Sequence, residues 1–323
     1  MLRAALALAA LLLTACGDAP PAPGGDAGLR VVATTAMIAD PAREIAGPHA
    51  VVTALMGEGV DPHLFSPARA DMAALLAADL VLANGHHLEG RMNDAFERVA
   101  ARGTPVVRVA EAVDDSILLA ELPPGGSRRI DVDPHLWMDP LAWLEATNAI
   151  ADALAAADPP NAEFYRANAA TYQQKLRRVH THAETAIASI PESQRVLVTA
   201  HDAFNYFARR YGIEVHAIQG LSTESEASVR DVENLVALLV ERRIPAVFAE
   251  SSISDRNVRA LIAGAAARGH TVALGGSLYS DAMGPAGTPE GTYLGMIEHN
   301  VRTIVTALGG AVPPPEERSE EAP

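Results

Sequence analysis

The chain carries one cysteine, Cys16, in 323 residues. Without a second thiol no disulfide can staple the fold, and any bound metal must be held by nitrogen and oxygen ligands. Aromatic residues make up only 4% of the sequence. That is a poor supply for the large aromatic-lined pocket a haem or metal-chelate receptor needs. Positive charge is also scarce, with 25 Lys and Arg against 40 Asp and Glu and a net charge of −15. Nucleic acid is therefore excluded as an expected partner, because its phosphates demand basic patches. No His-Glu-x-x-His pattern occurs, so the helical signature of a zinc hydrolase is missing as well.

What is present begins with a targeting segment. Arg3 precedes a run of Ala and Leu, and Leu13-Thr14-Ala15-Cys16 follows. The apolar run is too short to span a bilayer and ends in small residues just before the cysteine. Residues 1–15 read as a signal peptide similar to that of bacterial lipoproteins, with Cys16 the lipidated first residue of the mature chain. Residues 16–28, rich in Pro, Gly, Ala and Asp, read as a flexible tether. Residues 311–323 read as an acidic, solvated tail.

Between these ends the composition is that of a folded protein, 49% hydrophobic and 20% charged, long enough for two domains. β-rich runs at Leu29–Thr34, Val51–Leu55, Leu80–Ala83 and Pro105–Val109 alternate with helical patterns at 37–46, 67–78 and 88–101. Residues 111–131 read as an irregular loop, followed by a helix over 141–157. A second array follows, with strands at Arg195–Thr199, Ile213–Ala217, Ala246–Ala249 and Thr271–Gly275. Its helices fall over 203–211, 229–243, 255–268 and 290–308. Strands alternating with helices argue for parallel sheets with helical crossovers. Between the arrays, Asn161 to Ile190 contains no Pro or Gly, and Tyr172, Leu176, Val179, Ala183, Ile187 and Ile190 recur at steps of three and four. That is one apolar stripe on a long helix, on the order of 40 Å at about 1.5 Å per residue. The expected fold is α/β: two Rossmann-like lobes with parallel sheets, 29–160 and 191–310, joined by one long rigid helix over 161–190.

Two stretches echo one another across the first array. Asp61-Pro62-His63-Leu64-Phe65-Ser66-Pro67 and Asp133-Pro134-His135-Leu136-Trp137-Met138-Asp139-Pro140 each set a His directly after Asp-Pro. Proline fixes its own φ and biases the preceding residue towards extended backbone, so each imidazole sits on a stiff turn. Asp61 and Asp133 are placed to accept the second ring N–H and orient it. A single Asp-Pro-His turn would be read as a local cap, but two near-copies point to a site.

Of the eleven histidines, His49, His180, His182, His216, His270 and His299 lack partners at metal spacing and read as surface or packing residues. The adjacent pair His86-His87 points its rings apart, which favours the same reading, less firmly for His87. His63, His135 and His201 remain, each on a loop after a strand or at the head of a helix, with Asp281 a fourth candidate. In open α/β sheets ligands bind beyond the carboxyl ends of strands. Spacings of 72, 66 and 80 residues would place the four on four loops, and spacing alone does not justify a site. Glu250, just past a strand, reads equally as an orienting partner of a ligand His or as a strand-end carboxylate bonded to the backbone near Ser251 and Ser252.

From about residue 30 to 308 the chain resembles the metal-binding receptors of bacterial ABC importers for zinc, manganese and iron (solute-binding family 9). The resemblance is carried by Ala33-Thr34-Thr35-Ala36-Met37-Ile38-Ala39-Asp40, by the two Asp-Pro-His turns and by Asn84-Gly85-His86-His87-Leu88-Glu89-Gly90. In the second half it is carried by Thr199-Ala200-His201-Asp202-Ala203-Phe204-Asn205-Tyr206-Phe207, Gln219-Gly220-Leu221-Ser222-Thr223-Glu224-Ser225-Glu226 and Ser280-Asp281-Ala282-Met283-Gly284. It implies one divalent ion between the lobes, on His63, His135, His201 and Asp281. It also implies a non-enzymatic, lipid-anchored extracytoplasmic receptor, expected as a monomer, that serves an ABC permease and its ATPase. Three imidazoles suit Zn2+, while a carboxylate able to bind through both oxygens permits the higher coordination of Mn2+ or Fe2+. The loop at 111–131 has no His, unlike the His-rich loop many zinc receptors of this family carry. A zinc hydrolase using the same cluster, with Glu250 as base, is the alternative; four protein ligands would leave it no open position for water.

Overall fold

The computed structural model describes residues 28–121 and 131–314. The signal peptide, Cys16 and nearly all of the tether lie outside the described residues, as do 122–130 of the irregular loop and the tail from residue 315.

The first array forms a parallel sheet. Strands β1 (Leu29–Ala33), β2 (Ala50–Ala54), β3 (Leu80–Ala83) and β4 (Val106–Arg108) lie in the order β2-β1-β3-β4. Their crossovers run through α1 (Ala36–Ala46), α2 (Arg69–Ala77) and α3 (Asn93–Ala100). β3 is buried at every position, as expected of a parallel strand covered on both faces. The loop after β4 is more ordered than its composition suggests: β5 (Ala120–Glu121) and β6 (Asp131–Val132) pair antiparallel across it. This short bridge delivers the chain to the second Asp-Pro-His turn.

Helix α4 (Pro140–Ala157) begins with Pro at its first position, and the Asp139 carboxylate accepts the Leu141 and Ala142 amides. That is an N-cap followed by a residue whose missing N–H costs nothing there. Helix α5 (Ala162–Ala188) is the connector, 27 residues long. Tyr165, Ala169, Tyr172, Leu176, Val179, Ala183, Ala186 and Ile187 form its buried stripe. It packs on α1 and α4 from the first array and on α6 (Asn205–Tyr211) and α9 (Tyr293–Ala307) from the second. One apolar core therefore runs along α5 through both halves, from Met37 and Trp143 to Met296 and Ile304. Each half also has its own smaller cluster, around Leu75 and Phe96 in the first and Leu239 and Val247 in the second.

In the second array β7 (Val196–Thr199) pairs with β8 (Glu214–Ala217) and β9 (Ala246–Glu250) with β10 (Ala273–Leu278), both parallel, and β7 lies against β9. Helices α6 (Asn205–Tyr211), α7 (Val229–Glu241), α8 (Arg256–Ala267) and α9 (Tyr293–Ala307) complete it. β10 departs from the expected Thr271–Gly275. It starts two residues later and continues past Gly275-Gly276, with a register shift between Leu274 and Gly276. A Cβ on Gly275 would lie 2.6 Å from the Phe248 ring, and one on Gly276 2.6 Å from Thr303 Cγ2. These glycines permit close approach within a strand instead of ending it.

Candidate metal centre

All four candidate side chains project from loops beyond the carboxyl ends of strands: His63 after β2, His135 after β6, His201 after β7 and Asp281 after β10. They converge on one point, with one ligand atom from each lying within 4.8 Å of the others. All are buried; His135 and His201 are 0% exposed, Asp281 2% and His63 5%, so His63 is the member nearest water.

The two Asp-Pro-His turns share one backbone device. Asp61 Oδ1 accepts the His63 amide and Asp133 Oδ1 accepts the His135 amide, both at 2.9 Å. A carboxylate bonded to the backbone two residues on fixes the turn. At the rings the copies diverge. Asp133 Oδ1 also faces His135 Nδ1 at 2.7 Å, as expected, but Asp61 does not reach the His63 ring. Its second oxygen accepts instead the hydroxyl of Thr223, 2.6 Å away in the second half of the chain. The expected Asp61–imidazole contact is therefore replaced by a bond between the halves.

Glu250 does for His201 what Asp133 does for His135. Its Oε1 accepts the His201 amide at 2.8 Å and its Oε2 lies 2.5 Å from His201 Nδ1. This is the orienting reading, and the backbone-capping alternative near Ser251 and Ser252 falls. A carboxylate holding the Nδ1 proton leaves Nε2 with its lone pair directed at the centre. The His63 and His135 Nε2 atoms lie 3.3 Å apart. Asp281 offers both oxygens, Oδ1 at 3.4 Å from His135 Nε2 and Oδ2 at 3.5 Å from His63 Nε2 and 3.2 Å from His201 Nε2. An ion with bonds of about 2.0–2.1 Å in a tetrahedron needs ligand separations of about 3.3–3.4 Å. These four separations, 3.2–3.5 Å, lie close to that spacing.

Electrostatics points the same way. His201 Nε2 and both Asp281 oxygens are buried without a hydrogen-bond partner. Three orphaned polar atoms facing one point would cost several kcal/mol in total unless a cation or proton compensates, at about 1–3 kcal/mol each. Burial alone would raise the Asp281 carboxyl, but the imidazoles of His201, His135 and His63 outweigh it and hold the group below the usual carboxylate range. Burial lowers His63 to about 4. Burial also opposes charge on His201, yet Glu250 and Asp281 on its two sides raise it well above the ordinary value. Without an ion, the carboxylates on either side of His201 favour a proton on that ring.

The remaining histidines stay outside the cluster. His86 is half-buried with Nε2 3.0 Å from the Ala110 carbonyl oxygen, and His87 is exposed. His270 and His299 face carbonyl oxygens of Ile244 and Ser277, and His216 pairs with Glu214.

Residues 31–307 match the family described as zinc-uptake complex component A, periplasmic. The chain is 45% identical over 307 residues to the manganese-binding lipoprotein MntA of Bacillus subtilis, covering 95% of this chain and 98% of that protein. It is 44% identical over 279 residues to the zinc-binding protein TroA of Treponema pallidum, covering 86% and 88%. The solved structure of that TroA superposes with a TM-score of 0.82 over 87% of this chain and 99% of TroA. The Fe(III)-bound YtgA of Chlamydia trachomatis superposes with a TM-score of 0.79 at 26% identity, over 89% and 100%.

Proposed function

Because the chain belongs to the zinc-uptake complex component A family of periplasmic proteins, we propose that it captures one divalent transition-metal ion between two lobes and delivers it to an ABC permease. The ion is cargo, and His63, His135, His201 and Asp281 are its ligands. The observation that carries this reading is the convergence of four buried donors, among which His201 Nε2 and both Asp281 oxygens have no hydrogen-bond partner. Relatives named as lipoproteins, MntA among them, support anchorage through a lipid on Cys16, which puts the receptor on the outer face of a membrane. The lobes are residues 29–160 and 191–310, with 161–190 as the connecting helix, and the receptor works as a monomer.

Manganese and zinc are the expected cargo, with iron(II) a third candidate. Relatives of 45% and 44% identity are named for manganese and zinc respectively, so overall likeness does not choose between them. Three imidazoles favour zinc, while the two oxygens Asp281 turns towards the centre allow the extra bond manganese prefers. Intrinsic affinity follows the Irving–Williams order, so zinc wins when both are supplied in vitro.

Binding requires neutral imidazoles, so protons compete with the ion for the three rings. Glu250 and Asp133 hold the two most buried rings with their lone pairs inward, and Trp137, edge-on to His135 with centroids 5.3 Å apart, walls the site. The protein is a binding protein and not an enzyme. Hydrolysis at this centre would need an open coordination position, which four protein donors do not leave.

The test uses a soluble form beginning at Gly17, stripped with chelator and exposed without oxygen to equal manganese, zinc and iron(II). Metal analysis after desalting is expected to give one ion per chain, lost in His135→Ala. Absence of bound metal would sink the receptor reading.

A further inference from the structure

The four ligands are not held alike. His135 belongs to the first half of the chain, yet its turn is bonded to the second at several points. The Tyr206 hydroxyl donates to the Asp133 carbonyl at 3.0 Å, and Asn205 Nδ2 lies 3.2 Å from Asp133 Oδ2. Trp137 Nε1 donates to the Ser280 carbonyl at 2.8 Å, one residue before Asp281, and the Arg210 guanidinium grips Asp139 at 2.8 Å. His135, His201 and Asp281 therefore sit on one cross-braced unit packed on the continuous core. His63 does not. Its turn has the more exposed surroundings, with Leu64 41% exposed, and its ring lacks the carboxylate that orients the other two.

What holds the His63 turn from the opposite side is the loop after β8. That loop is tied to the His201 turn, since the Gln219 amide donates to the Ala200 carbonyl at 3.0 Å and the Asp202 amide to the Gly220 carbonyl at 3.4 Å. It then crosses to the first half, where the Thr223 hydroxyl donates to Asp61 Oδ2 at 2.6 Å. Beside it Arg91 links Glu224, at 3.0 Å, to the Leu64 carbonyl, at 3.3 Å. A chain of bonds thus runs from the His201 turn through Thr223 and Asp61 to the amide of His63.

Resting on the metal-receptor reading, we propose that the 219–226 loop is a latch that keeps His63 on the ion, with Thr223 as its positioning residue, and that opening this latch is the first step of metal release. His63 is the ligand that leaves first, because it is the one nearest water and the one without a braced ring. The other three keep the ion until it passes to the permease. Thr223 acts through Asp61 and touches no metal.

The test compares zinc release to excess chelator, followed by stopped flow, in the soluble chain from Gly17 and in its Thr223→Val, Thr223→Ser and Asp61→Asn variants. Thr223→Val removes a hydrogen bond to a half-buried carboxylate, and release is expected to be about tenfold faster. Thr223→Ser keeps the hydroxyl and restores the slow rate. The double variant Thr223→Val/Asp61→Asn releases no faster than the faster single one, since both weaken the same Thr223–Asp61 link. The metal-free Thr223→Val protein keeps a cooperative melting transition, lowered only by the few degrees that one lost hydrogen bond costs, which separates a latch from a general loss of structure. Acceleration of less than roughly threefold, against the tenfold such a bond supports, or a Ser variant as fast as the Val variant, overturns the latch. Wild-type protein that holds zinc while Thr223→Val releases it equally slowly removes the latch alone. Wild-type protein that holds no zinc removes the receptor reading with it.

Discussion

The two Asp-Pro-His turns are near-copies in sequence and differ in how they are used. In both, the Asp carboxylate accepts the His amide two residues on. In the second copy the same carboxylate also orients the ring, and Tyr206, Asn205 and Arg210 fasten the turn to the other half. In the first copy the carboxylate is turned away from the ring, towards Thr223. One local motif thus builds a fixed ligand in one place and a held but movable ligand in the other. The difference comes from tertiary partners, not from the motif.

The sharpest way to break this comparison is to delete the rings. His135→Ala and Asp281→Ala remove ligands from the braced unit and are expected to abolish metal retention through desalting, read by metal analysis. His63→Ala leaves the braced three and is expected to keep weak, rapidly exchanging binding visible by equilibrium dialysis.

The next contrast lies in the carboxylates behind the rings. Glu250→Gln and Asp133→Asn should each weaken zinc about 10–100-fold in competition with a chelating dye, the range for lost orienting partners. Asp61→Asn, whose carboxylate meets no ring, should change equilibrium affinity less than either. Equal losses in all three would erase the distinction between the turns.

Acidity tests the same asymmetry through protons. Glu250 and Asp281 raise metal-free His201, so a proton competes with the ion for this ring. Affinity is therefore expected to fall as pH falls through the range in which His201 gains its proton, which Glu250 and Asp281 place above the ordinary histidine value of about 6.5. His63, lowered to about 4 by burial, stays neutral until far lower pH and adds its own proton only there. Calorimetry at pH 7 in buffers of different ionisation enthalpy should show proton release on zinc binding, smaller in Glu250→Gln, which loses a carboxylate that raises His201. The same affinity at pH 5 and pH 8 would contradict the charge balance drawn for the site.

The smallest expected effect is on stability. Asp139 is buried, caps α4 and is gripped by the half-buried Arg210. Arg210→Ala leaves that carboxylate with only its backbone partners and should lower stability by about 2 kcal/mol, read from denaturant unfolding of the metal-free protein. No change would mean that the second turn is braced by Tyr206 and Trp137 alone.

Much of this was legible in the sequence where the signal is local and periodic. The stripe from Tyr172 to Ile187 identified the connector, and the alternation of strand and helix gave two parallel arrays. The echoed turns drew attention to His63 and His135, but His201 and Asp281 stand on single loops and only the family resemblance joined them to the pair. Glu250 was ambiguous because a strand-end carboxylate looks the same whether it meets an imidazole or the backbone. Asp61 was misjudged for the opposite reason: its neighbour in sequence suggested a partner, while the actual partner, Thr223, is 162 residues away. Gly275-Gly276 reads as a strand end, yet is required by the Phe248 ring and α9 packed above it. Local pattern finds turns and faces; which turn touches which is set by the assembled core.

The most direct test of the central claim is a crystal of zinc-loaded protein with diffraction recorded on both sides of the zinc absorption edge. One anomalous peak per chain is expected, about 2.0–2.2 Å from the three Nε2 atoms and the Asp281 carboxylate. A peak elsewhere, or none with these four side chains in place, would contradict that claim.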